Sequence, residues 1–172
     1  MKTMTVLVGN PKPRSRTLSV ALAVAKSLRA SLGGDLEPQV IDLAELAPAL
    51  FDQGSTRVAE ALGVVAASDV VVVASPTYKA TYTGLLKSFL DRYDNNALGA
   101  TTCVPVMTGA APIHALAIEV HLRPLLVELG ASVPTRGLYV TEDRFDDLDA
   151  AVGSWAELAR PILLGNRRTD SR

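Results

Sequence analysis

Asp69-Val70-Val71-Val72-Val73-Ala74-Ser75-Pro76 is the stretch whose reading decides the fold. Four consecutive valines after an acidic residue leave no polar face, and a strand apolar on both faces belongs in the middle of a parallel sheet covered by helices. Working outward, Met4-Thr5-Val6-Leu7-Val8 is a second apolar run closed by Gly9, and a polar loop separates it from an Ala/Leu/Val-rich segment, Leu18 to Ser31. This reads as strand, loop, helix, with Gly33 and Gly34 as the stop signal. Gln39 to Leu43 is the next strand, and Pro48 breaks the connection Ala44 to Phe51. Helical spacing then predicts helices over Thr56 to Ala67, Tyr82 to Leu98, Ile113 to Leu129 (capped by Gly130) and Leu148 to Leu164. Strands are expected at Thr101 to Thr108 and Gly137 to Val140. Strand and helix alternate throughout, which predicts an α/β fold: a doubly wound five-stranded parallel sheet with helices on both faces and a ligand crevice at the carboxyl ends of the strands.

The composition narrows the function classes. The 172 residues fit one domain, expected over residues 1–165, with a polar aperiodic tail at 166–172. A net charge of −1 with 5% aromatic residues disfavours nucleic acid and anionic membrane surfaces as partners. The single cysteine, Cys103, lies in a strand pattern and reads as a buried structural thiol. No secretory signal pattern or bilayer-length apolar run is present, so the expected location is cytoplasmic.

Three loops at strand carboxyl ends could carry chemistry. Gly9-Asn10-Pro11-Lys12-Pro13-Arg14-Ser15-Arg16-Thr17 leads straight into a helix, so hydroxyls, cationic side chains and helix-start N–H groups converge as a phosphate cradle would require. The plainer alternative makes Ser15 or Thr17 an ordinary N-cap and the arginines a solvated turn. Neither the dinucleotide G-x-G-x-x-G nor the triphosphate G-x-x-x-x-G-K-[ST] spacing occurs, which points to a single terminal phosphate. Ser75-Pro76-Thr77-Tyr78-Lys79-Ala80-Thr81-Tyr82-Thr83-Gly84 offers backbone groups and flat side chains to a planar ligand, or else is a surface connection capped by Thr83. Thr108-Gly109-Ala110-Ala111-Pro112 is small enough for close approach to a ring edge.

Other chemistries are poorly supported. His114 and His121 stand seven residues apart without an H-E-x-x-H or Cys/His partner set, so no metal is expected. No G-x-S-x-G elbow is present. The acidic run Glu142, Asp143, Asp146, Asp147 and Asp149 reads as a solvated helix start.

Taken together, the three loops resemble those of the NAD(P)H-dependent FMN reductases over nearly the whole chain. The most specific motif is Ser75 through Asp91, Ser-Pro-Thr-Tyr-Lys-Ala-Thr-Tyr-Thr-Gly-Leu-Leu-Lys-Ser-Phe-Leu-Asp. Thr108 through Ala117 and Leu122-Arg123-Pro124-Leu125 look closest to the alkanesulfonate-type members. The resemblance implies a flavodoxin-like fold and hydride transfer from NADPH or NADH to FMN, with no catalytic side chain required. It implies that Ser15, Arg16 and Thr17 hold the FMN phosphate and that Pro76, Thr77, Tyr78 and Lys79 line the isoalloxazine. Thr108, Gly109 and Ala110 would close its other side, with His114 also counted at the cofactor site. A homodimer or homotetramer is implied through the helix after the middle motif, as is delivery of reduced FMN to a flavin-dependent monooxygenase. Alternatives are an FMN-retaining quinone or azo reductase, an electron-carrier flavodoxin, and a regulator without cofactor. The chain departs from the family at Asn10 and Lys12, where serine and arginine are usual. It also departs at Val120-His121, where alkanesulfonate-type enzymes insert a tyrosine that makes a π-bulge.

Overall fold

The computed structural model describes residues 3–32 and 37–165. These form one sheet of five parallel strands in the order β2-β1-β3-β4-β5: β1 Met4–Val8, β2 Gln39–Asp42, β3 Val70–Pro76, β4 Thr102–Gly109 and β5 Leu138–Thr141. β3 lies at the centre and all seven of its residues are buried. Side chains alternate along it. Val70, Val72 and Ala74 pack under α1 (Arg16–Leu32) and α5 (Leu148–Gly165), while Val71 and Val73 pack under α2 (Thr56–Ala66), α3 (Gly84–Leu90) and α4 (Arg123–Glu128). Burying both faces of one valine run therefore requires two helix layers, one on each side.

β4 carries Pro105 in a non-edge strand, a position where proline normally removes a ladder bond. Cys103 N–H donates to Ser132 O (2.8 Å), so by alternation the nitrogen of Pro105 faces the same side. Pairing there resumes only at Val106 with Leu138, so the missing donor falls in a gap of the ladder.

Two long helices expected from spacing are interrupted. The helix expected over Tyr82 to Leu98 is α3 alone, Gly84–Leu90, followed by turns in which Asn96 adopts φ +62°. Asp94, Asn95 and Asn96 are residue types that favour turns over helix continuation. The helix expected over Ile113 to Leu129 divides into a 3-10 turn at Pro112–His114, a π-turn at Ile118–Leu122 and α4. Pro124 has no N–H to donate and its ring would crowd the carbonyl of Val120, and the wider turn lies just ahead of it. Gly130, at φ +88°, closes α4 as expected, with Gly130 N–H on Val127 O (2.9 Å) and Ala131 N–H on Leu126 O (3.1 Å). The expected stop at Gly33 and Gly34 and the tail at 166–172 lie outside the described residues. No helix among the described residues is long and apolar enough to cross a membrane.

Cys103 is fully buried, and burial pushes its thiol up from the ordinary 9.0 to about 12. Burial also raises Tyr93, whose hydroxyl donates to Leu62 O (2.9 Å). The unfolded thiol loses its proton first, so the stability it confers is intact below pH 9 and declines up to about pH 12. Urea unfolding should show this decline, with a slope of up to about 1.4 kcal/mol per pH unit from the thiol, absent in Cys103→Ala. The native thiol should also resist a thiol reagent that labels the unfolded chain.

Candidate active site

The loops after β1, β3 and β4 meet in one cleft of about 530 Å³ at the carboxyl edge of the sheet. Gly9 begins the assembly. Its N–H donates to Ala74 O (2.8 Å), its carbonyl accepts from the Thr83 hydroxyl, and a Cβ there would lie 2.4 Å from Leu86 Cβ. The same Thr83 hydroxyl accepts from Leu86 N–H as the N-cap of α3, and Thr83 N–H donates to Ser75 Oγ (3.0 Å). The first loop is thereby seated on the start of α3.

Asn10 closes the first loop upon itself. Its Oδ1 accepts from Lys12 N–H (2.9 Å) and its Nδ2 donates to Thr17 Oγ1 (3.1 Å), an arrangement that uses both ends of the amide. Arg14 adopts φ +50° with its N–H on Asp42 Oδ2 (3.2 Å) at the end of β2. Ser15 Oγ accepts from Leu18 N–H (3.3 Å), so Ser15 is an N-cap. The first intrahelical bond of α1 runs from Ser19 N–H to Ser15 O (3.2 Å). The preceding N–H groups of Arg16 and Thr17 are the donors that a helix start presents to an anion.

Thr17 is 1% exposed, and its hydroxyl meets Thr108 Oγ1 at 2.9 Å as well as Asn10. One proton lies between the two hydroxyls and Asn10 supplies another, so one hydroxyl proton of the pair is left for a further acceptor. Thr17 therefore ties the β1 loop to the end of β4. The β3 and β4 loops are tied in turn by Thr77 N–H on Thr108 O (2.6 Å).

All the expected site residues except Lys79 and His114 line this cleft. Lys79 and Ala80 sit at φ +52° and +67° in a two-residue turn closed by Tyr78 N–H on Thr81 O (2.8 Å). That geometry suits Asn-Gly, and it puts exposed Lys79 at the tip, away from the cleft lining. His114 ends the 3-10 turn after β4 and is exposed. Lys12 and Arg14 are also in the lining, on the loop singled out for phosphate. Sequence reasoning missed Glu142 and Phe145, which line the cleft from the loop after β5. The Arg16 guanidinium lies 5.4 Å from the Phe145 ring centre and 3.9 Å from the Glu142 carboxylate. The acidic run is thus only partly the solvated helix start that was expected. Its position at a strand carboxyl end was the available signal. Among the described residues no group of three or more His, Cys, Asp or Glu could hold a metal ion.

A family model described as NADPH-dependent FMN reductase matches residues 2–145. The chain belongs to the NADPH-dependent FMN reductase family. It is 33% identical over 95% of its length to an FMN reductase (NADPH) of Pseudomonas aeruginosa, covering 93% of that protein. It is 34% identical over 82% of its length to the NADH-dependent FMN reductase SfnF of Pseudomonas putida, covering 78% of it. Among solved structures, the apo form of NADH:FMN oxidoreductase EMOB superposes with TM-score 0.78 at 28% identity, covering 91% of this chain and 89% of that one. An oxidoreductase from Corynebacterium diphtheriae does so with TM-score 0.78 at 30% identity over 92% and 96% of the two chains. This FMN reductase family member is accordingly a flavodoxin-like NAD(P)H oxidoreductase that uses FMN.

The donor set suits that cofactor. Lys12, Arg14, Arg16 and the start of α1 line the cleft together with Pro76, Thr77, Tyr78 and the small residues Gly109 and Ala110, which gives it both cationic groups and flat or open surface. The segment carrying Val120 and His121 forms a π-turn, with Arg123 N–H on Ile118 O. The Arg123 side chain fixes it by donating to Glu119, Val133 O and Thr135 O, and this guanidinium holds the Glu119 carboxyl below its ordinary range.

Thr17→Val should leave Asn10 and Thr108 short of a partner and cost about 1–3 kcal/mol of stability by urea unfolding. Thr17→Ser should retain most of it.

Proposed function

We propose that this FMN reductase family member reduces FMN held in the cleft and passes the reduced flavin to a flavin-dependent monooxygenase. The observation that carries the reading is the convergence of the three loops on one cleft, lined by Arg16 and the start of α1 and by Thr77, Tyr78 and Gly109. When bound, the flavin supplies the redox chemistry, accepting hydride from NADPH or NADH. The protein's part is binding and orientation. Arg16, Lys12 and the N–H groups of Arg16 and Thr17 hold the phosphate, Ser15 caps the helix that presents them, and Thr17 with Thr108 aligns the loops. Pro76, Thr77 and Tyr78, together with Gly109 and Ala110, would line the ring. Lys79 acts by shaping the turn. His114 lies next to the third loop without lining the cleft. The name of one relative, NADH-dependent FMN reductase SfnF, supports reduction of FMN by a nicotinamide nucleotide.

Assembly is the second part of the proposal. Ile113, Leu116, Val120 and Val127 are exposed along the segment containing the π-turn, whereas α3 carries no exposed large apolar side chain. An apolar stripe of this kind on a small protein marks a contact surface. It supports a homotetramer or homodimer formed through this segment.

Anaerobic mixing of the FMN-reconstituted protein with NADPH or NADH should bleach the flavin's visible band. Bleaching by neither nucleotide would refute the reductase reading. Arg16→Ala should weaken FMN by about 1.5 kcal/mol, the low end for a hydrogen bond to a charged group because Arg16 is exposed, and should leave riboflavin unaffected. Leu116→Glu with Val120→Glu should lower the mass observed by light scattering to that of the monomer.

A further inference from the structure

Tyr139 belongs to no motif, yet its hydroxyl touches both loops assigned to the flavin ring. It sits on β5, paired in register with Met107 of β4, and its ring packs against the core on the α2–α4 side. The hydroxyl donates to Ala111 O (3.2 Å) and accepts from Thr77 Oγ1 (3.4 Å). A Cβ at position 109 would lie 2.0 Å from it and 3.0 Å from Tyr139 Cζ, so the phenol occupies the space that any side chain larger than glycine would need there.

A strand residue moves less than a loop residue, so a hydroxyl on β5 is a fixed point against which two loops can be located. Thr77 N–H on Thr108 O joins those loops at their base, where they leave β3 and β4. The Tyr139 hydroxyl joins them farther out, at Ala111 and at the side chain of Thr77. We propose that Tyr139 is a positioning residue for the flavin ring, setting the separation of the β3 and β4 loops and requiring glycine at position 109. The inference rests on the proposed FMN site and adds a residue to it. Because the Tyr139 hydroxyl bonds only to the two loops assigned to the ring, its effect is independent of the phosphate.

Tyr139→Phe keeps the ring and its packing while removing the hydroxyl. Equilibrium titration by flavin fluorescence should show the variant binding FMN and riboflavin about fivefold more weakly, by the same factor for each, as expected for loss of a neutral hydrogen bond. Its melting temperature should stay within about 3 °C of the parent, the shift expected from less than 1 kcal/mol in a domain of this size. Gly109→Ala should bind both flavins poorly, and adding Tyr139→Phe should restore part of that loss, since the 2.0 Å conflict disappears with the oxygen. Such rescue is a result that general destabilisation does not produce. Undiminished flavin affinity in Tyr139→Phe, a loss confined to FMN, or a double variant no better than Gly109→Ala would each overturn the inference. Failure of the unaltered protein to bind either flavin would overturn the FMN site itself, and this inference with it.

Discussion

Burial of β3 on both faces is the constraint on which the rest of the structure depends. Val70 to Val73 offer apolar surface up and down, and a strand with no wet face is stable only when helices cover both sides. The alternation of Val70, Val72 and Ala74 against Val71 and Val73 divides the core into two layers, and the flanking strands repeat the same alternation. Because crossovers between parallel strands are right-handed and return each strand in the same direction, every carboxyl end opens on one edge. The cleft is therefore a consequence of how the core is buried, before any ligand chemistry enters.

That edge is where buried polar groups collect, and they explain why the loops have a definite shape. Thr17, Thr108, Ser75 and Thr83 are all nearly inaccessible, and each hydroxyl finds a partner in another loop or at a helix start. A buried polar group without a partner costs more than a satisfied one returns, so the network penalises any rearrangement that separates the loops. Arg14, Lys79 and Ala80 adopt left-handed backbone conformations within the same edge. Such conformations persist in residues other than glycine where the surrounding bonds hold them.

Much of this was legible in the residues themselves. The five strands were readable because runs such as Val70 to Val73 and Met4 to Val8 have no competing local interpretation. The three loops were readable because their positions follow from the strands. The long helices were overread at Asn96 and Pro124, where turn-favouring residue types and a missing donor override apolar spacing. Glu142 and Phe145 were lost in an acidic run that looked like solvated surface, and only the packing of α5 beside α1 brings them to Arg16.

By itself, the sequence determined the α/β alternation, the central strand, the loops that carry polar and small residues, and, through its motifs, the family. Those properties depend on hydrophobic period and residue type, which are local quantities. Tertiary structure decided which side chains share the cleft. Thr17 faces Thr108 across 91 positions, Tyr139 stands between Thr77 and Ala111, and Lys79 turns away at the tip of its hairpin. Hydrogen bonds between loops depend on distances of a few ångströms between residues far apart in the chain. No periodicity along the chain encodes such distances, and they become definite only when the sheet register and the helix packing are in place.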